Sequence, residues 1–253
     1  MRAYIQLAIV ILSLVSFQHA LAAPTKNQTK PLDNAAISAR IKQHFPDLDN
    51  IEVKPSPVKE LYEVVAGGAV FYVTKDGRYI FSGDVLDLDN KQNNLTELTR
   101  KKARLAGLKA IGEDNMIVFS PAKPKYWVTV FTDVDCGYCR KFQAEIPKIN
   151  ELGIGIRYLA FPRAGLNSPS YEKMAKIWCA KDKQKAMDLA SNDKPLNGEV
   201  CDNQKIKKEF QFGLTAGVTG TPSMIFEDGT LYPGYLPPEH LLRAVEQVRK
   251  ENS

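Results

Sequence analysis

The pattern of apolar and polar positions divides the chain into a short first set of elements, one charged helix, and a longer second set. From Asp33, Ile37, Ile41 and Phe45 recur at i, i+4 and i+8 before Pro46, which predicts an amphipathic helix. Ile51–Val53, Leu61–Val65 and Ala69–Thr74 are short β-branched runs of strand type. Asp76-Gly77 predicts a hairpin turn into Arg78–Phe81, and Asp84–Leu88 is a further candidate strand. One helix and a few strands make a core of marginal independent stability, so pairing of an edge strand with a second copy would help this unit persist. It carries no cysteine or catalytic motif, and is read as a dimerisation module. A regulatory or purely structural appendage is the alternative reading.

Leu95, Leu98, Leu105, Leu108 and Ile111 lie at spacings of three and seven on an otherwise charged helix, with Gly107 near its middle. So narrow a stripe predicts a helix that buries little and connects two domains; a core helix of one large domain is the alternative. Arg100, Lys101, Lys102 and Arg104 are the tight basic cluster of the chain. No aromatic-interleaved face or nucleic-acid motif accompanies them, so they are read as a solvated helix face and nucleic acid is not an expected partner.

In the second set, Met116–Phe119, Tyr126–Thr132 and Ile154–Phe161 read as strands, the last two enclosing a helix in a β-α-β start that predicts a parallel pair. Pro162 to Asp202 is lysine-rich, with helices expected over Tyr171–Lys181 and Gln184–Asn192, and Lys205–Phe212 is expected to end at Gly213. Met224–Phe226 is a strand and Asp228-Gly229 a hairpin turn into Thr230–Tyr232. Pro237-Pro238-Glu239 opens a last helix with Leu241, Leu242, Val245 and Val248 inward. Pro222 enters a strand directly, where a trans proline would remove a ladder bond. A cis Thr221–Pro222 bond would avoid that and expose the Thr221 backbone to an incoming peptide.

The chemistry lies at Cys136-Gly137-Tyr138-Cys139, between the Tyr126–Thr132 strand and a helix over Arg140–Ile146 closed by Pro147. This puts the Cys136 sulfur at a helix N-terminus, where unpaired N–H groups and the dipole favour thiolate and lower its pKa below the ~8.5 of a free cysteine. Cys136 could then attack a disulfide, and Cys139, one turn on, could displace the mixed disulfide. Half of a zinc site and a purely structural bridge are the competing readings. With no second C-x-x-C and no histidine nearby, redox chemistry is the stronger, and neither metal nor organic cofactor is expected.

Export completes this picture. Arg2, the apolar run Tyr4–Phe17 and small residues at Ala20 and Ala22 predict a signal peptide over residues 1–22; a retained anchor is the alternative. The chain has 253 residues, net charge +5 and four cysteines. In an oxidising compartment Cys179 and Cys201 can persist as a structural disulfide, the alternative being two free buried thiols.

Phe131-Thr132-Asp133 before Cys136-Gly137-Tyr138-Cys139, followed by Gly220-Thr221-Pro222-Ser223, resembles the DsbC/DsbG family of bacterial periplasmic thiol:disulfide isomerases. The similarity covers nearly the whole mature chain, including the spacing of the second cysteine pair. The resemblance implies an α+β, cystatin-like N-terminal dimerisation domain over 23–93 and a helical linker over 94–115. It implies an α/β thioredoxin-like catalytic domain with a helical insertion over 116–253. It implies a periplasmic homodimer that rearranges wrong disulfides in misoxidised exported proteins and acts as a chaperone, kept reduced by a membrane reductase of the DsbD type. Carried over, Cys136 is the nucleophile and Cys139 the resolving cysteine. Tyr138, Thr221 and Pro222 line the substrate site, and Cys179 and Cys201 form the structural disulfide. Asp135 departs from easy transfer: beside Cys136 it would oppose the thiolate, unless it caps the helix and stays solvated. A DsbG-like reductase protecting single cysteines, a thiol oxidase of the DsbA type and a holdase are the other functions carried forward.

Overall fold

Asp33 starts the first helix, α1 (Asn34–His44), by accepting a hydrogen bond from the Ala36 N–H at 2.8 Å. The computed structural model describes residues 31–48, 50–90, 93–201 and 204–252, so the expected signal segment lies outside the described residues. Ile37 and Ile41 of α1 are buried with Val64 and Val73. The latter belong to an antiparallel meander of β1 (Glu52–Pro55), β2 (Leu61–Ala66), β3 (Ala69–Thr74) and β4 (Ile80–Phe81) in that spatial order. Gly77 takes φ +69° in the β3–β4 turn, the left-handed conformation that Asp-Gly supplies. The expected Asp84–Leu88 strand contracts to β5 (Leu86–Asp87), which pairs with β6 (Asn93–Asn94).

The charged helix, α2 (Leu95–Ile111), is capped by Asn94, whose side chain accepts from the Glu97 N–H at 2.9 Å. Its packing corrects one expectation. Leu98 and Leu105 of the narrow leucine stripe are exposed, but Arg104 of the supposedly solvated cluster is only 4% exposed and Lys101 is ion-paired to Asp228. The partner surface presents backbone carbonyls, a carboxylate and an aromatic edge, so Arg104, Lys101 and Gly107 face it beside the partly buried Leu108 and Ile111. A Cβ on Gly107 would come within 2.2 Å of the Phe212 ring.

The larger sheet has the order β11-β10-β8-β9-β7. β8 (Tyr126–Thr132) and β9 (Ile154–Ala160) are its parallel centre, in register from Tyr126 opposite Ile154 to Thr132 opposite Ala160. β7 (Ile117–Phe119), β10 (Ser223–Ile225) and β11 (Leu231–Pro233) are added antiparallel. The period-2 alternation sends Val128, Val130, Ile156, Tyr158 and Met224 to one face and Phe131, Leu159 and Ile225 to the other. Both faces are covered, which is why the central strands read as nearly unbroken apolar runs.

α3 (Gly137–Ala144), α4 (Ile146–Glu151) and α8 (Pro238–Glu251) contribute Phe142, Ile149, Leu241 and Val245 to the first face. Pro147 opens α4 rather than merely closing the redox helix, consistent with its tolerance in a first helical turn. α7 (Gln204–Ala216) covers the second face and runs past Gly213, where a Cβ would lie 2.5 Å from the Phe161 ring. That glycine permits close packing and is not a stop signal. α5 (Pro169–Cys179) and α6 (Lys183–Ser191) form the expected insertion, and Cys179 is bridged to Cys201 with Cα atoms 5.6 Å apart.

Candidate active site

The turn leaving β8 is organised by Asp133. Its buried carboxylate accepts from the Asp135 N–H at 2.9 Å, the Arg163 N–H at 2.9 Å and Arg163 Nε at 3.2 Å. The Ser170 hydroxyl also donates to it. Burial works to raise the Asp133 pKa, but these donors outweigh it and hold the group below the usual carboxylate range. The turn thus ends with Cys136 at the N-cap of α3, where its carbonyl accepts from the Arg140 N–H at 3.0 Å.

Cys136 and Cys139 are free thiols, both 4% exposed. The Cys136 pKa falls to about 5, chiefly because the Cys139 thiol hydrogen-bonds to its sulfur. Burial opposes this shift, while Thr221, the Cys139 N–H and the positive charge of Arg163 add to it. Cys139 moves the other way: burial pushes its pKa up, and the neighbouring Cys136 thiolate adds to the rise. One sulfur is therefore poised as an anion and the other holds the proton.

The Thr221–Pro222 bond is cis. The Thr221 carbonyl accepts from Cys136 Sγ at 3.2 Å, while its buried hydroxyl has no hydrogen-bond partner. The carbonyl favours the protonated thiol, yet the net displacement of Cys136 is downward. Pro222 is held to the end of β11 through its carbonyl, which accepts from the Gly234 N–H at 2.8 Å. Tyr138 is 63% exposed, and its ring lies 5.7 Å from that of Tyr235. Tyr235 in turn donates to Glu145 at 2.7 Å and carries the Lys141 ammonium 4.7 Å above its ring. Cys136, Cys139, Tyr138, Thr221 and Pro222 thus converge, whereas Cys179 and Cys201 form a bridge elsewhere at the end of α5.

Asp135 does not cap α3, contrary to expectation. Its carboxylate pairs with Lys173 at 2.7 Å and lies 3.7 Å from Arg140, so its charge is met outside the thiol pair. Sequence reasoning also missed Arg163, Ser170 and Tyr235. Arg163 had a signal: it lies just beyond β9, and adjacent parallel strands bring the loops after their C-terminal ends together. Tyr235, between the hairpin and the last helix, had none.

A thioredoxin-type sheet with a C-x-x-C at a helix N-terminus, opposite a cis-proline loop, defines a thiol–disulfide oxidoreductase of the thioredoxin fold. Residues 113–249 match a thioredoxin-like domain model, and residues 28–97 match the N-terminal domain model of the disulfide bond isomerase protein. The chain is 37% identical over 215 residues to the thiol:disulfide interchange protein DsbC of Dickeya dadantii, covering 85% of this chain and 87% of the relative. It is likewise 37% identical over 222 residues to the Escherichia coli K12 protein of that name, covering 87% of this chain and 91% of the relative. A linker-deletion mutant of Proteus mirabilis ScsC shares the fold, with a TM-score of 0.51 and 19% identity over 60% of this chain and 84% of that one. The chain belongs to the DsbC family.

Proposed function

We propose that the protein is a dimeric periplasmic disulfide isomerase and reductase whose working pair is Cys136 and Cys139. The observation that carries this reading is the split between the two thiols: Cys136 lowered to about 5 at the helix N-cap and against Thr221, Cys139 raised by burial one turn on. The Cys136 thiolate attacks a wrong disulfide, forming a mixed disulfide and releasing the other substrate sulfur as thiolate. That thiolate either attacks a different disulfide of the substrate, eventually freeing Cys136, or Cys139 loses its proton and attacks Cys136. The second route forms the Cys136–Cys139 disulfide and leaves the substrate reduced by two electrons. A membrane reductase of the DsbD type returns the pair to dithiol. Thr221, Pro222 and the exposed Tyr138 ring receive the substrate chain, with Thr221 as its edge.

The dimer reading is supported by the outer strand of the small sheet. Ile80 and Phe81 of β4 are exposed with Tyr79, Leu86 and Leu88, an apolar edge that a soluble monomer would leave open to pairing. Export is supported by the Cys179–Cys201 bridge. Among the described residues no helix is long and apolar enough to cross a membrane.

A thiol oxidase is the second reading, because a low nucleophile pKa stabilises the reduced pair and raises its oxidising power. Refolding of a scrambled multi-disulfide protein in a glutathione buffer separates the two. Recovery of native activity with the wild-type chain and loss with Cys136→Ala is the expected result. Fast oxidation of reduced substrate with no recovery from the scrambled state would establish the oxidase instead.

A further inference from the structure

Asp135 stands directly before Cys136 in the chain, the two Cα atoms about 3.8 Å apart across a trans peptide. A carboxylate there can harm the nucleophile in two ways. Its charge opposes a thiolate on the next residue, and as a short acceptor at the mouth of α3 it can take the first-turn N–H groups. No side chain caps α3, so those N–H groups are left to Cys136 at the N-cap position. The carboxylate is turned toward the helical insertion instead. Lys173 Nζ of α5 holds Asp135 Oδ1 at 2.7 Å, and Arg140 Nη2 of α3 stands off at 3.7 Å. Arg140 is engaged elsewhere: its Nη1 pairs with Asp193 at 2.6 Å, and its Nε donates to the Val134 carbonyl at 2.7 Å. Arg163 donates to the Asp135 carbonyl at 3.2 Å and to the Asp133 carboxylate, so it grips the backbone of Asp135 and not its side chain. Lys173 thus makes the shorter of the two ion pairs to this carboxylate. α5 is placed to supply it, because Ser170, three residues earlier on the same helix face, donates to Asp133.

We propose that Lys173 is a positioning residue for the thiol site: its ion pair holds the Asp135 carboxylate on the insertion side, away from the Cys136 sulfur and the N-terminus of α3. It rests on the reading of Cys136 as the attacking thiol. Releasing the carboxylate has two consequences of one sign. A carboxylate that swings toward α3 brings negative charge to the thiolate and competes with it for N–H donors, so the thiolate is destabilised. The two side chains are 49% and 31% exposed, and solvent keeps the effect modest. The insertion thereby acts on the nucleophile through one lysine as well as covering the sheet.

The test is a double-mutant cycle read by the pH dependence of iodoacetamide alkylation of Cys136. It uses the full chain with the Cys136–Cys139 pair reduced, and circular dichroism to establish folding. A wild-type midpoint no lower than that of a free cysteine would overturn the reading of the thiol site, and the proposal with it. Given a low wild-type midpoint, Lys173→Met is expected to raise it by about 0.3 pH unit, a roughly two-fold loss of thiolate below the midpoint. Lys173→Arg should restore the wild-type value. Asp135→Asn, which removes the charge being held, supplies the second background. Lys173→Met combined with Asp135→Asn is expected to match Asp135→Asn alone, because no carboxylate is left to release. A lysine acting on the sulfur directly through its own charge would give the same rise in both backgrounds. That equal rise, or a folded Lys173→Met with the wild-type midpoint, would overturn the positioning role. Should Lys173→Met not fold, Lys173→Gln takes its place in both backgrounds and the same outcomes decide.

Discussion

At the scale of single residues, two buried carboxyls, Asp133 and Glu209, are instructive because they are buried to opposite effect. Asp133 keeps its charge because donors surround it. Glu209, fully buried on α7, accepts from the Ala160 N–H at 2.6 Å and Trp178 Nε1 at 3.1 Å, yet burial dominates and its pKa rises to about 8. A carboxyl raised on folding binds a proton that the unfolded chain has released. Its stabilising contribution is therefore complete below the unfolded value near 4.5 and is lost as pH rises through about 8. Cys136 has the opposite slope, since its lowered pKa adds stability as pH rises. The oxidised protein, in which neither thiol of the pair titrates, isolates the carboxyl. Thermal melting of that form should lose a few kcal/mol between pH 5 and pH 8 on the order set by the shift. Glu209→Gln should flatten the dependence over this window, and an equal slope in the variant would show that another group is responsible.

At the scale of elements, what was legible depended on how local its cause was. The α1 cap, the Asp76-Gly77 turn, the parallel β8–β9 pair and the strand-to-helix placement of Cys136 follow from period, turn chemistry and capping within a few residues. The cis Thr221–Pro222 bond was legible as a conflict between a proline and the strand it enters. The errors came where a distant surface decided the outcome. Gly213 looked like a helix end because its role, admitting the Phe161 ring, is set by a residue far away in sequence. The basic cluster of α2 looked like a solvated face, but α2 docks on carbonyls and Phe212, so Arg104 and Gly107 face inward. Of the candidate site, the two cysteines, Thr221 and Pro222 could be read from motif and local conflict, and Tyr138 from the resemblance. Arg163 was legible only through its place after a parallel strand, and Tyr235 not at all, since only the folded sheet brings its loop beside the C-x-x-C.

At the scale of the whole molecule, a redox domain that handles disulfides is joined to a small sheet with an apolar edge. Isomerase action is favoured by that coupling, because two sites held around one substrate can hold it through successive exchanges. The edge makes a specific demand. Ile80→Lys with Phe81→Glu changes two exposed side chains, so the chain should still fold, its melting lowered only by the lost pairing. The sedimenting mass should fall from that of two chains to that of one, and an unchanged dimer would place the interface elsewhere. The central claim, a division of labour in which Cys136 attacks and Cys139 resolves, is tested most directly by trapping. Cys139→Ala, mixed with a substrate containing a single disulfide, should accumulate a covalent complex through Cys136 that a reductant dissolves, and Cys136→Ala should accumulate none. Trapping by Cys136→Ala through Cys139, with none by Cys139→Ala, would contradict the account.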